Sequence, residues 1–236
     1  MTHPVMAAYL RALSSHTGPG TAPLPLAAFA RVLGLDGLGL LLSPSDGPAE
    51  LVQSCGEHTV ALEDLQQVHG QGPSLDAAHQ GTLLLLPDVS AFTGERWPGL
   101  LAAVQDLGVH AVFAFPLRIG VIGLGVLTGH RVRPGPMSSD ALADAVGLAD
   151  TLAQLAIATA AHADPARAPL VDDPGLHFAE VHQATGMLAA QLGIPCGQAL
   201  VRLRAHAFGE DKPLVEIARD VLGHRLYLDD NGDAHS

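Results

Sequence analysis

The chain of 236 residues has little aromatic content, at 4%, little charge, at 15%, and almost no lysine, Lys212 being its single one. A core with so few rings has to be built from Leu, Val and Ala. Nearly half of the residues are apolar, which excludes a chain too polar to fold. The two cysteines, Cys55 and Cys196, lie far apart with no CxxC spacing. That excludes a disulfide framework and makes a reducing cytoplasm the expected compartment. The N-terminal "MTHPVMAAYLRALSSH" lacks a basic segment followed by a long apolar core, so no signal peptide is expected. No uninterrupted apolar run approaches the roughly 18 residues of a membrane span, so no membrane partner is expected. Positive charge is scarce as well. The formal net charge of −12 excludes attraction of a polyanion by the general field of the molecule. Residues 175–228 carry as many basic as acidic groups, and only there can a local basic patch form.

The chain does contain clear punctuation. "DPARAPLVDDPG" (164–175), with three prolines and three aspartates, reads as a linker. It divides an N-terminal segment (1–23) and an α+β domain (24–163) from a helical domain (176–228) and an acidic tail (229–236). Upstream of it, helical patterns over 25–34, 59–70 and 96–108 alternate with strand-like runs over 37–43, 50–55 and 82–88. "HAVFAFPLRI" (110–119) and "VIGLGVLTGHR" (121–131) make an apolar hairpin around Gly120, so the sheet is expected to be largely antiparallel. Residues 139–161 form the longest helix. One row holds Leu142, Ala145, Ala149, Leu152, Ala156 and Thr159, and a second, apolar row holds Ala141, Leu148 and Leu155. A stripe this wide predicts packing on the sheet and on a partner helix at once, hence a homodimer with Leu152 in the seam. The alternative is a helix deep inside its own domain.

After the linker three short amphipathic helices follow. Phe178, Val181, Ala184 or Thr185, Leu188 and Leu192 share one face before Gly193. Ala199, Leu200, Leu203 and Ala207 share the next, and Leu214, Ile217, Ala218, Val221 and Leu222 the third. This describes a small bundle.

Two stretches go beyond periodicity. "GQGPSLDA" (70–77), the "PDV" and "RWPGLL" after it, and "GVHAVFAFPLRIGVIGLGVL" (108–127) resemble the GAF domains of actinobacterial regulators. Gln71 and Ser74 stand where those domains usually have Glu and Cys. The resemblance implies a sensory domain with a cavity beside its sheet. Because both central strands are apolar, a small, mainly uncharged ligand or none is expected, rather than a nucleotide. "VHQATGMLAAQLGIPCGQALVRLRAHAFGEDKPLVEIARDVL" (181–222) resembles an ANTAR domain, a three-helix RNA-binding antitermination module. Gln183, Ala184 and Gly186 match its Gln-Ala-Lys-Gly signature, with Thr185 in the lysine position. Arg204 matches the first of an arginine pair whose second is Ala205, and Lys212 holds a basic position beside Pro213.

The resemblance implies a partner: RNA stem-loops in nascent transcripts. The candidate RNA contacts are Arg204, Lys212, Arg202 and His206, with Phe208 as a stacking group. Arg204 is expected to point outward. Arg202 and His206 share a face at i, i+4, while Arg204 lies about 200° around the helix from Arg202. The bland alternative is a set of ordinary solvated side chains. No catalytic residues, cofactor or metal site are expected. The thirteen histidines include no HxxxH or HExxH spacing, and Cys55 with His58 lacks further ligands or an orienting third group. Trp97 with Pro98 reads as a packing anchor. The sequence therefore leaves two functions: an RNA-binding antitermination regulator with a sensory domain, or a degenerate relative that senses a ligand or binds proteins without RNA.

Overall fold

The computed structural model describes residues 24–43, 49–92, 96–162 and 178–228, with Met6, Ala8 and the strand pair 234–235. The expected linker (164–175), the N-terminal segment (apart from Met6 and Ala8) and most of the acidic tail lie outside the described residues.

Helix α1 (Leu26–Leu33) precedes strands β1 (Gly37–Leu42) and β2 (Glu50–Cys55). Helices α2 (Thr59–His69) and α3 (Pro73–Gln80), strand β3 (Leu84–Leu86) and helix α4 (Leu100–Asp106) follow. Strands β4 (Ala111–Ile119) and β5 (Ile122–Arg131) form the central hairpin, and α5 spans Ser139–His162. The five strands make one antiparallel sheet in the order β2-β1-β5-β4-β3. The α+β class read from the sequence holds.

Side-chain alternation gives the sheet two faces. Phe113, Phe115 and Leu117 of β4, Leu127 of β5 and Leu38 and Leu40 of β1 point to one face. There they pack with Phe29 of α1 and with Ala145, Leu148 and Leu152 of α5, all buried. Full burial of each large side chain contributes about 1.5–3 kcal/mol, so this face carries much of the stability. α5 starts where Ser138 Oγ accepts the Ala141 N–H at 3.2 Å, an N-cap reinforced by Asp140 in the first turn. By length and composition alone, Ser139–Ala158 is apolar enough to cross a membrane. The run itself is interrupted by Asp140, Asp144 and Asp150, as read from the sequence, and Ala145, Leu148 and Leu152 of this helix are buried against the sheet.

The opposite face carries α2, α3 and α4. Gly37 and Gly39 on β1 let α2 approach closely. A Cβ on Gly37 would collide with Thr59 Oγ1 and His130 Nε2, and one on Gly39 would come within 3.1 Å of the Thr59 methyl. α3 is absent from the sequence reading, since eight residues with two polar turns give little periodicity. Gly72 and Pro73 start it and Gly81 ends it in the left-handed region. The helix expected over 96–108 forms only from Leu100, because Trp97 (φ 61) and Gly99 (φ 82) leave the helical region. The strand expected over 82–88 shrinks to Leu84–Leu86 ahead of Pro87, which has no N–H to give.

The C-terminal helices are α6 (Ala179–Leu192), α7 (Cys196–Glu210) and α8 (Leu214–Leu222), followed by β6 (Tyr227–Leu228) paired with β7 (Ala234–His235). Val181, Ala184 and Leu188, then Ala199, Leu203 and Ala207, then Leu214, Ile217 and Val221 meet as the bundle core. Arg219 Nε donates to Glu180 Oε2 at 2.8 Å across α8 and α6. That core runs on into the sheet domain through Leu51, Leu41 and Val126, so the two parts share one apolar cluster.

Candidate functional site

The face of α2 turned to the sheet is polar where an apolar lining was expected. Thr59, Glu63 and Gln66 recur at i, i+4 and i+7, and all three are buried. Thr128 and His130, two apart on β5, face them. Ser74 of α3 closes the group. Its Oγ lies 3.0 Å from Glu63 Oε1 and 2.8 Å from Thr128 Oγ1, and its N–H donates to Gln66 Oε1 at 2.8 Å. Gln66 Nε2 donates to Glu63 Oε2 at 3.1 Å and to Ser74 Oγ at 2.8 Å. Burial pushes the Glu63 carboxyl up to about 7, with the Ser74 and Thr128 hydroxyls pulling against it and Asp64 adding to it.

Beside this buried network, Thr59 Oγ1 donates to the Cys55 carbonyl at 2.5 Å and lies 3.0 Å from His130 Nε2. Since the hydroxyl proton is already used, the imidazole carries its proton on Nε2 and donates. Burial, helped by His58, pushes His130 down to about 4, against a smaller opposing pull from Asp36. Its Nδ1 is buried with no partner among the described residues. Burial also pushes the Cys55 thiol up, so it stays protonated and weakly nucleophilic.

The outer side of α2 receives the bundle. Arg204 Nη2 of α7 donates to Gln67 Oε1 at 3.2 Å. Phe208, one turn on, packs T-shaped with His69, centroids 5.4 Å apart. The outward direction expected for Arg204 is thus corrected: a second helix, invisible in the pattern of α7 alone, covers it. At the other end of the bundle Glu50, buried on β2, accepts the Phe178 N–H at 2.9 Å and pairs with His182 Nε2.

The five residues predicted to touch RNA do not form one patch. Arg204 and Phe208 lie against α2, the latter still 63% exposed. Lys212 sits between Glu210 at 3.8 Å and Glu216 at 4.0 Å. Arg202 and His206 are half-buried elsewhere on α7. Thr185, in the signature lysine position, is buried and donates to the Val181 carbonyl at 2.6 Å. Gln71 and Ser74 both have structural partners here, since Gln71 Nε2 donates to the Pro98 carbonyl at 2.9 Å. Trp97 is a packing anchor: it is 4% exposed, stacks on Phe92 and donates to Asp76 Oδ2 at 2.9 Å. The polar groove was missed from the sequence, although the i, i+4, i+7 spacing of Thr59, Glu63 and Gln66 was its signal.

No family model and no curated protein matches the sequence. Solved structures match the fold. The GAF domain of a phosphoenolpyruvate-protein phosphotransferase from Acinetobacter superposes with a TM-score of 0.52 at 14% identity, over 68% of this chain and 95% of that one. The free methionine-R-sulfoxide reductase of Neisseria meningitidis, solved with its substrate, superposes with a TM-score of 0.50 at 16% identity, over 67% of this chain and 90% of that one. At these identities the likeness shows the fold alone. The sheet and its flanking helices are a GAF fold.

Proposed function

We propose that this chain is a non-enzymatic regulator in which a GAF-fold sensory domain governs a C-terminal RNA-binding bundle of the ANTAR type, acting on stem-loops in nascent transcripts. The observation that carries the reading is the double use of α2. Its inner face holds the buried Glu63, Gln66 and Thr59, and its outer face holds the bundle through Gln67, His69 and Gly70. A change in what the inner face binds has a direct mechanical route to the outer one. The sensed molecule is small and mainly uncharged. The reductase among the fold relatives suggests sulfur chemistry as an alternative, but burial makes Cys55 a poor nucleophile, and His130 bonds Thr59 rather than the thiol. The regulator assembles as a homodimer along α5, whose outer stripe carries Val146 and Ile157.

RNA affinity must come from few contacts. Binding of a small-loop hairpin should fall with log salt at a slope of about −1.5 to −3, as roughly 0.7 per contact over a few phosphates implies. Hairpins should be preferred to duplex of equal length. Lys212→Ala and Arg204→Ala should each weaken binding by about 1–2 kcal/mol. Titration of a labelled hairpin at several salt concentrations reads all three quantities. The second reading, a sensor or protein adaptor without RNA, is favoured by buried Thr185 and by the carboxylates beside Lys212. It takes over if no hairpin binds at low salt.

A further inference from the structure

Arg204, the best-matched RNA contact, is used up in an internal contact. Its guanidinium lies over the C-terminal end of α2, where Gly70 closes the helix with φ 64. A Cβ at position 70 would stand 3.1 Å from Arg204 Nη1, so the glycine makes room for the cation. Phe208 leans on His69 from the same side of α7. Two of the five candidate contacts are thereby held by one helix end of the sensory domain.

The contact is poorly made for a permanent one. Arg204 Nε and Gln67 Nε2 are both buried donors with no acceptor among the described residues. Gln67 is 4% exposed, and its one carbonyl oxygen answers a group with five N–H donors. Burial alone moves the guanidinium, downward, with no carboxylate countering it. Unsatisfied buried donors, on a half-buried guanidinium with no carboxylate bonded to it among the described residues, raise the energy of the docked state. An RNA phosphate would supply what the site lacks, charge and two more acceptors.

We infer that docking of α7 on α2 is an autoinhibitory contact: RNA and Gln67 compete for Arg204, and the bundle binds RNA only after leaving α2. The inference deepens the RNA-binding reading and rests on it. Undocking frees Arg204 and Phe208 together, and the sensory domain regulates RNA binding by setting the fraction of bundles undocked. Apparent affinity then scales with that fraction.

Gln67 lies outside the bundle, so changing it tests the contact without touching the RNA contacts themselves. Gln67→Glu gives Arg204 the carboxylate it lacks and should hold the bundle shut, weakening binding of a short synthetic hairpin roughly tenfold. Gln67→Met keeps the volume, removes the Oε1 acceptor, and should tighten binding several-fold. Hydrogen exchange on the full-length proteins should show α2 and α7 amides protected more by the first change and less by the second. Opposite shifts in affinity that follow the exchange establish autoinhibition. Equal affinities in all three proteins while exchange shifts overturn it and leave the RNA-binding reading standing. No hairpin binding in any of the three, including Gln67→Met with α7 exchanging freely, defeats the RNA-binding reading and the inference with it.

Discussion

Glutamine in place of Glu63 should leave the fold intact and raise its stability at pH 8 by about 3 kcal/mol, while changing little at pH 4. The carboxyl titrates near 7 in the folded protein against an ordinary value of 4.5, so each pH unit between those values costs about 1.4 kcal/mol. Below 4.5 the folded and unfolded states both carry the proton and there is no penalty. Between 4.5 and about 7 the unfolded state gives it up and the folded state keeps it, so stability falls as pH rises. Glutamine copies the protonated acid. Its carbonyl can accept from Gln66 Nε2 and its amide can donate to Ser74 Oγ, whose own proton then goes to Thr128.

His130 works in the opposite sense. Its folded value of about 4 lies below the ordinary value of 6.5, so the stability it contributes is complete above 6.5 and is lost as pH falls toward 4. In the wild type the two residues oppose each other between about 4.5 and 6.5, and stability there should be nearly flat. Without Glu63 the histidine acts alone, so stability of Glu63→Gln should climb with pH across that window. Urea unfolding at half-unit pH steps gives both curves. Parallel curves for the two proteins would show that Glu63 does not sit in the buried hydrogen-bonded state described.

Why that groove escaped the sequence is a matter of register. The alternation in β4 and β5 and the stripe of α5 are local patterns, and both gave the right elements. Thr59, Glu63 and Gln66 also share a helical face, but one polar face on a helix looks like a solvated one. Only the pairing of Gly37 with His130 and Gly39 with Thr128 brings β5 under that face. Sequence spacing within α2 marks the shared face but not the strand that covers it. Arg204 shows the same limit from the other side. Ala199, Leu203 and Ala207 fix the bundle-facing side of α7 and leave Arg204 off it, which is correct. That a helix some 135 residues earlier covers the remaining side is a tertiary fact. The thin periodicity of α3 is a third case, since Gly72, Pro73 and Gly81 set its ends and its eight residues offer too few turns to establish a face.

Leu152→Glu should abolish cooperative folding altogether. The sequence placed Leu152 in a dimer seam, where a glutamate would separate two folded subunits. In the structure it is 2% exposed and packs in the domain's own core with Leu148 and Ala149. An unpaired carboxylate there costs more than about 4 kcal/mol, a large part of what a domain of this size has. The outer stripe of α5 behaves differently. Val146 and Ile157 are 40% and 39% exposed and lie three turns apart on one side of the helix. Changing both to glutamate should alter monomer stability by no more than about 1 kcal/mol. If α5 is the seam, the same double change should turn a dimer into a folded monomer, because it sets four carboxylates against each other across a two-fold axis. Sedimentation velocity combined with thermal unfolding distinguishes the two effects. A folded, monomeric Leu152→Glu protein would put that residue back in the interface and remove it from the core. A wild type that sediments as a monomer at micromolar concentration would end the dimer proposal, and signalling from the groove to the bundle would then run within one chain.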